Sequence, residues 1–421
     1  MNRNIPLSKS LSYFSILILP LFSLYISLKH FRKPEAKNIF WLFCIFLGII
    51  HIIFPVGGSD ADGTRYAQRL IDLHYQAITW ENFTASLFVE GGSVDLYQPL
   101  VTYIISIFTD NPRWLFAIFA TVFGFFYSRN MWFVLERLPA KNRFIVWILI
   151  IFYFLVCPIW QINGVRMWTA LHVFVYGALP YIYSSKRSRL IWCFISLFVH
   201  FSLFTPLVIL LVYKFIPRKI TPLLLFFIIT FFINSIDMEQ IRTLLSSYLP
   251  DFLQPRVRGY TNEDYVEAFI AGRDGGSLLI RGARFISTWG TTILLVYIST
   301  VGKNIIQSNK YLCNLLCFSL FFLGIANMLS LIPSGARFIA IANMFAIPAL
   351  IFFFAYYHEQ KKINIFYSFL LTIISLSLLV PIFFDLRMGC DYYGISLILN
   401  PITTFFIEDN TPIMIYIKQS F

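Results

Sequence analysis

Two arginines in an otherwise apolar sequence have the local pattern of an anion-binding site. Arg166 lies in "QINGVRMW" between the apolar runs 144–160 and 167–183, and Arg337 in "PSGARF" opens the apolar run 337–357. In "NGVR" and in "SGAR" a polar residue and a glycine permit a tight turn, and the arginine then begins a helix. A helix N-terminus offers free N–H donors and a guanidinium adds a bidentate donor. We therefore predict that Arg166 and Arg337 together bind a phosphate-like anion.

Several carboxylates and one histidine could serve as a general base for a reacting hydroxyl group, which needs a proton acceptor within hydrogen-bonding distance. Asp60, Asp62 and Asp95 lie in one polar loop, where acids are also typical of a solvated surface. His200 lies in the middle of an apolar segment, in "FVHFSLF", where it is either an interhelical hydrogen-bond donor or a functional group.

The chain lacks the short sequence motifs by which several well-known classes of enzyme are recognised. It has no P-loop, GxSxG, HExxH or CxxC motif, and its six cysteines lie mostly inside apolar segments. "GGSDADGTRY" resembles a calcium loop only in its acids. We expect no metal site and no cofactor.

The composition is that of a membrane protein. The chain has 421 residues, of which 58% are hydrophobic and 13% charged, and its mean hydropathy is +0.71. About a dozen apolar stretches recur along it, and backbone groups in lipid must be hydrogen-bonded internally. We predict an all-α, polytopic integral membrane protein with about 11–13 transmembrane or re-entrant helices, forming a single membrane domain over residues 1–421.

The distribution of charge predicts the topology. The short connectors 29–37, 136–143, 184–189, 214–219 and 303–310 are basic, and the positive-inside rule places them in the cytoplasm. The longer connectors 56–95 and 236–283 have more acids than bases and belong outside. The net charge of +12 therefore reflects topology, and we expect the lipid bilayer, not nucleic acid, as a partner.

This topology places a set of arginines at the external ends of helices, where basic residues should be few: Arg65, Arg69, Arg166, Arg281, Arg284 and Arg337. Contact with lipid headgroups is the usual explanation for any one of them. For Arg166 and Arg337 together an anion site is favoured.

The predicted topology also requires two irregular segments. A chain that goes from an external loop at 95 to a cytoplasmic loop at 137 must cross an odd number of times, so the short run 97–109 is predicted to be a half-helix. The run 190–213 joins two basic connectors, which predicts two short limbs that meet near "VHFS"; alternatively, one connector breaks the charge rule. We further expect an amphipathic helix in loop 56–95 and short surface helices in loop 236–283.

The order of several short motifs resembles that of the EpsG-like membrane proteins, a branch of the Wzy-type O-antigen and capsule polymerases. The motifs are "SDADGTRY", "YQP", "INGVRMWTA", "HFS" and "ARF". The resemblance implies an all-helical fold similar to the GT-C glycosyltransferases. It also implies a polymerase that acts on polysaccharide repeat units carried on undecaprenyl pyrophosphate, at the periplasmic face of the bacterial inner membrane.

Carried over position by position, the resemblance implies roles for the residues that match its motifs: Asp60 or Asp62 with Tyr66, Arg166 with Ala170, His200 with Ser202, and Arg337. Two positions depart from the family pattern. Gln98-Pro99 stands where relatives often have Glu-Pro, and Met167 follows Arg166 where many have Gln. The first departure removes a candidate carboxylate base, so Asp60, Asp62 or Asp95 would have to supply it.

These observations together predict an inverting, metal-independent polymerase that transfers a glycan from undecaprenyl pyrophosphate to a lipid-linked repeat. Arg166 and Arg337 would hold the departing pyrophosphate, Arg281 or Arg284 that of the second lipid, and Arg65, Tyr66 and Gln98 would line the substrate site. A chain-length regulator is a further expected partner. The alternatives are an O-antigen ligase, which uses the same donor, and a flippase that transports the lipid-linked oligosaccharide without reaction.

Overall fold

The computed structural model describes residues 9–54, 62–77, 79–88, 95–233, 277–356, 365–404, 406–407 and 409–419. All the regular elements in these ranges are helices. The α-helices are α1 (Lys9–Ile18), α2 (Pro20–Lys29), α3 (Ala36–Ile49), α4 (Asp62–His74), α5 (Trp80–Phe88), α6 (Tyr97–Ser106), α7 (Pro112–Leu135), α8 (Phe144–Leu155), α9 (Val165–Ser184), α10 (Ile191–Val199), α11 (Phe204–Tyr213), α12 (Ile220–Phe231), α13 (Leu278–Thr300), α14 (Lys303–Ser308), α15 (Lys310–Leu329), α16 (Arg337–Tyr356), α17 (Ile365–Ser377), α18 (Leu379–Gly389), α19 (Pro401–Thr404) and α20 (Ile413–Gln419).

Five helical stretches of the described chain are long and apolar enough to cross a membrane: Pro112–Leu135, Phe144–Ser184, Lys310–Leu329, Arg337–Tyr356 and Phe369–Gly389. Shorter apolar helices accompany them. The prediction of an all-α, multi-pass membrane protein is confirmed.

A compact group of helices surrounds α7. Helix α3 runs antiparallel to it, and the two backbones approach closely at Gly48 and Gly124, where an added Cβ would overlap Ala120 and Cys44 respectively. Helix α9 runs parallel to α7, with ring centroids 4.7 Å apart for Phe123 and His172.

Helix α16 lies beside α9 in the same direction. Phe174 faces Phe345 with ring centroids 6.4 Å apart, and about two turns further along both helices Tyr183 faces Phe352 at 5.1 Å. The N-termini of α9 and α16, which carry the two arginine motifs, therefore lie at the same end of the bundle.

Two of the basic connectors, 29–37 and 136–143, lie at the opposite end of the bundle. Arg32 donates to the carbonyl oxygens of Leu138 and Pro139, the latter at 2.5 Å, and Lys37 Nζ is 3.0 Å from Glu136 Oε1. These contacts join connector 29–37 to connector 136–143. These two basic connectors and the two arginine motifs therefore lie at opposite ends of the bundle, as the positive-inside rule predicts.

The charge pattern predicts two irregular segments, 97–109 and 190–213, and the structure has short helices in both. Helix α6 has 10 residues and is about 15 Å long, half of the hydrocarbon thickness of roughly 30 Å. The run 190–213 forms α10 and α11, and the break between them is at His200, which is extended with φ −155° and ψ 120°. The prediction of two limbs that meet at "VHFS" is confirmed.

Some boundaries differ from those expected. The first apolar run, 11–28, is interrupted at Leu19 because Pro20 cannot donate to the preceding turn. Helix α13 begins at Leu278, seven residues before the apolar run 285–302, since the Ser277 hydroxyl caps it by accepting from Ile280 N–H. Loop 236–283 lies outside the described residues up to position 276, and so do the surface helices expected there.

Candidate functional site

The two predicted arginine motifs form the starts of helices. A 3-10 turn, Ile159–Gly164, leads directly into α9, so Arg166 is the second residue of that helix. Arg337 is the first residue of α16, after a turn in which Ser334 has a left-handed φ of 61°. In that turn a Cβ on Gly335 would overlap the carbonyl oxygen of Leu329. Each turn thus delivers its arginine into the first turn of a helix.

A buried carboxylate, Asp95, lies at the centre of the site. Its Oδ2 is 2.7 Å from His200 Nδ1 and 3.6 Å from Arg166 Nη1, and its Oδ1 accepts from Phe201 N–H at 2.8 Å. Only 2% of the residue is exposed. The extended conformation of His200 interrupts the helical hydrogen-bond ladder and directs the Phe201 N–H to this carboxylate.

The imidazole of His200 is oriented by Asp95. A carboxylate only accepts hydrogen bonds, which assigns the ring proton to Nδ1 and leaves Nε2 as the acceptor. Nε2 is 3.4 Å from Ser202 Oγ and 3.5 Å from Arg337 Nη1. A basic nitrogen therefore lies beside the second arginine.

Helix α4 positions Arg166 from the other side. Arg166 Nε donates to Tyr66 Oη at 3.2 Å. The start of α4 is attached to the 3-10 turn before Arg166, because Gly63 N–H donates to Asn163 Oδ1 at 3.2 Å. Burial raises the pKa of the Tyr66 hydroxyl, an effect that Arg166 partly opposes. Tyr66 therefore stays a neutral phenol that accepts from the guanidinium.

The charges in the site favour an anionic ligand. Burial alone would raise the pKa of Asp95, but the hydrogen bond from His200, the Phe201 N–H and the charge of Arg166 together lower it below its ordinary value of 3.8. Asp95 is thus ionised at neutral pH and faces one guanidinium directly and a second through His200. One negative charge against two positive charges leaves a net positive site, with Arg166 about one-third exposed.

The structure brings together six of the residues singled out in the sequence: Tyr66, Asp95, Arg166, His200, Ser202 and Arg337. The others lie elsewhere. Asp62 forms an ion pair with the exposed Arg65, and Gln98 is buried, donating to Thr102 Oγ1 at 2.9 Å. Arg281 and Arg284 are exposed on α13. Asp60 lies outside the described residues.

Sequence reasoning missed the pairing of Asp95 with His200 and the contribution of the Phe201 N–H. The parity argument did point to a break in the helix at "VHFS", which is the feature that creates both contacts. Ser202 entered only through the "HFS" motif. Within the described part of the chain, no group of three or more His, Cys, Asp or Glu side chains could hold a metal ion.

Comparison with known proteins supports the resemblance seen in the motifs. The model of the EpsG family matches residues 38–394, which is most of the chain and includes all six clustered residues. The chain belongs to the EpsG family. Membership in the EpsG family indicates a polysaccharide-polymerase-like, glycosyltransferase-like function for this multi-pass membrane protein. No curated protein and no solved structure matches it, so the likeness to GT-C glycosyltransferases stays a prediction.

Proposed function

We propose that this EpsG-family protein is a polysaccharide repeat-unit polymerase. It would transfer a glycan from undecaprenyl pyrophosphate to a lipid-linked repeat unit at the outer face of the bacterial inner membrane. The observation that carries the proposal is the pairing of buried Asp95 with the partly exposed His200, beside Arg166 and Arg337 at the N-termini of two parallel helices. A positioned base next to an anion site suits the transfer of a sugar from a pyrophosphate to a hydroxyl group.

In the proposed reaction His200 Nε2 takes the proton of the acceptor sugar hydroxyl. The hydroxyl oxygen forms a bond to the anomeric carbon of the donor as the bond from that carbon to the pyrophosphate oxygen breaks. Undecaprenyl pyrophosphate leaves with the bonding electrons. A single displacement of this kind inverts the anomeric configuration. A positioned base contributes typically about 10²–10⁴ in rate.

Arg166 and Arg337 would stabilise the negative charge that develops on the leaving pyrophosphate. Donors that are fixed in place before the reaction are effective because they need no reorganisation as the charge forms. Tyr66 holds Arg166 through Nε and Asp95 pairs with Nη1, which leaves Nη2 of the guanidinium to face a ligand. Arg281 or Arg284 would contact the pyrophosphate of the second lipid, and Arg65 and Gln98 remain proposed substrate contacts outside the cluster.

Asp95 is assigned a positioning role in this scheme. Both of its oxygens are occupied, by His200 and by the Phe201 N–H, so it acts on the substrate through the imidazole. This arrangement favours His200 over Asp60, Asp62 and Asp95 as the base. With His200 as the base, the reaction needs no carboxylate at position 98, where relatives often have a glutamate and this chain has Gln98.

The O-antigen ligase and the flippase differ from the polymerase in what accumulates without them. Deletion of the gene for a polymerase leaves single repeats attached to the surface lipid. Loss of a ligase leaves long chains on undecaprenyl pyrophosphate, and loss of a flippase leaves single repeats on the cytoplasmic side. We expect the first pattern, with full chain growth restored by the wild-type gene and not by His200→Ala expressed at the same level. Either of the other two patterns would contradict the proposal.

A further inference from the structure

A cavity of about 490 Å³ lies near the same end of the bundle as Arg166. It is formed where the end of α3 and the start of α7 meet residues near the C-terminal end of the described chain: Ser396, Thr404, Phe406, Asp409 and Asn410. Its polar lining includes Asn111, Arg113, Asp409 and Asn410, and its apolar lining includes Phe54 and Phe406. The volume is within the range of about 300–1,000 Å³ that is usual for small-ligand sites.

The polar groups of this cavity are held by specific hydrogen bonds. Arg113 donates through Nη1 to Thr404 O at 3.2 Å and through Nη2 to Ile407 O at 2.8 Å, which fixes the C-terminal segment on α7. Asp409 Oδ2 accepts from Ser396 N–H at 2.7 Å. A Cβ on Gly394 would overlap the Asp409 carboxylate, so the glycine permits this carboxylate to approach the backbone.

The composition of the cavity fits a neutral ligand with many hydroxyl groups. Arg113 and Asp409 balance each other in charge, and the guanidinium already serves two carbonyl groups, which disfavours an anion. Carboxylate and amide side chains can accept from and donate to neighbouring hydroxyl groups. Phe54 and Phe406 are exposed aromatic rings on which the C–H face of a sugar can pack. A sugar has both kinds of surface.

A row of aromatic side chains in contact with one another lies between the cavity and the reaction site. His51, which lines the cavity, stacks on Phe116 with ring centroids 5.1 Å apart. Phe116 adjoins Phe119 at 5.8 Å, and Phe119 adjoins Tyr66 at 6.3 Å. Tyr66 in turn holds Arg166. Three ring contacts thus connect the cavity to Tyr66, the residue that holds Arg166.

We propose that this cavity is a saccharide subsite that holds a sugar of the growing chain away from its reacting end. The proposal rests on the polymerase function proposed above. Retention of the chain between additions would make the enzyme add several repeats before the product leaves. Weakening the subsite should shorten the chains without slowing formation of the first new bond.

Exposed residues of the cavity allow a test with little risk to folding. We would compare Phe406→Ala and Asn410→Ala with Phe108→Ala, a control that removes another highly exposed phenylalanine, outside the cavity. Purified wild-type protein and variants would be given lipid-linked repeat units, and both the rate of the first addition and the distribution of chain lengths would be measured. Binding of oligosaccharides released from the strain's own polymer by mild acid would be followed by saturation-transfer NMR.

We expect each cavity variant to bind the oligosaccharides about three- to tenfold more weakly, the value of one lost contact. Chains should become shorter at an unchanged rate of first addition, while Phe108→Ala behaves as wild type. Unchanged chain lengths, or an equal fall in first addition and chain length, would overturn the subsite. If wild-type protein binds the oligosaccharides but forms no bond between repeats, the polymerase proposal fails and the saccharide site stands.

Discussion

Replacement of Asp95 by asparagine tests the proposed division of labour between Asp95 and His200. The substitution keeps the shape of the side chain but leaves one acceptor oxygen where there were two. In wild type the Phe201 N–H is 2.8 Å from Oδ1 and His200 Nδ1 is 2.7 Å from Oδ2 of Asp95. In the variant these two groups compete for the single amide oxygen. If the oxygen turned to His200, the Phe201 N–H would lose its partner, at a cost of up to about 1–3 kcal/mol.

We therefore expect the asparagine oxygen to keep the Phe201 N–H and its NH₂ group to donate to His200 Nδ1. The ring proton must then move to Nε2, which no longer accepts a proton from the acceptor hydroxyl. The loss should approach the full contribution of a general base, about 10²–10⁴ in kcat, or about 3–5 kcal/mol in the barrier. An asparagine that stabilises the wrong histidine tautomer in a serine protease has an effect of this size.

The assay is the rate of bond formation by purified protein at saturating lipid-linked repeat. Asp72→Asn is a matched control, since Asp72 is an exposed carboxylate on α4 that accepts only from the nearby Gln68 in the described contacts. The double variant Asp95→Asn/His200→Ala should be no slower than His200→Ala alone, because residues that act as a unit are not additive. Losses that multiply in the double variant would refute the idea that Asp95 acts through His200.

Three further predictions concern Arg166, Asp95 and Gly335. Arg166→Ala should slow the reaction by about 10²–10³, and Arg166→Lys should restore little of it because an ammonium cannot bind Tyr66 and a pyrophosphate with separate planar donors; full recovery by lysine in the kinetic assay would contradict the clamp. Because the pKa of Asp95 is below 3.8 in the folded protein, its stabilising contribution is complete above that value and is lost as the pH falls through the folded pKa. The unfolding temperature of wild type should therefore exceed that of Asp95→Asn by less at about pH 2 than at about pH 5, whereas an equal difference at both pH values would argue against an ionised, paired Asp95. Gly335→Ala should destabilise the turn before α16 by about 1–3 kcal/mol, since its Cβ would overlap Leu329 O; a variant with unchanged unfolding temperature would show that this turn can relax.

Hydrophobicity and charge were sufficient to predict the class of fold and the positions of the arginine motifs. The apolar runs 114–135, 167–183 and 337–357 lie within two residues of the helices α7, α9 and α16, because a span must be both apolar and long enough for the bilayer. The positive-inside rule also predicted the break at His200, since two basic connectors cannot be joined by one crossing.

The pairing at the centre of the site could not be predicted in the same way. Asp95 and His200 are 105 positions apart, and no spacing within either motif indicates the other. Asp95 lies in a loop rich in small and polar residues, where an acid is usually solvated, so its burial depends on the docking of α6 against α10. The Phe201 N–H is a backbone group, so no residue type in the sequence indicates its role. Contacts of this kind depend on how the helices pack, not on their individual sequences.

The most direct test of the central claim is a reconstituted reaction. Purified protein in lipid vesicles would be supplied with a single undecaprenyl-pyrophosphate-linked repeat unit, and the lipid-linked products and released undecaprenyl pyrophosphate would be measured by mass spectrometry. We predict a ladder of lipid-linked products that differ by one repeat, with one undecaprenyl pyrophosphate released per new bond. Repeat units that cross the membrane but stay single, or that are transferred only to a lipid A core acceptor, would contradict the polymerase assignment.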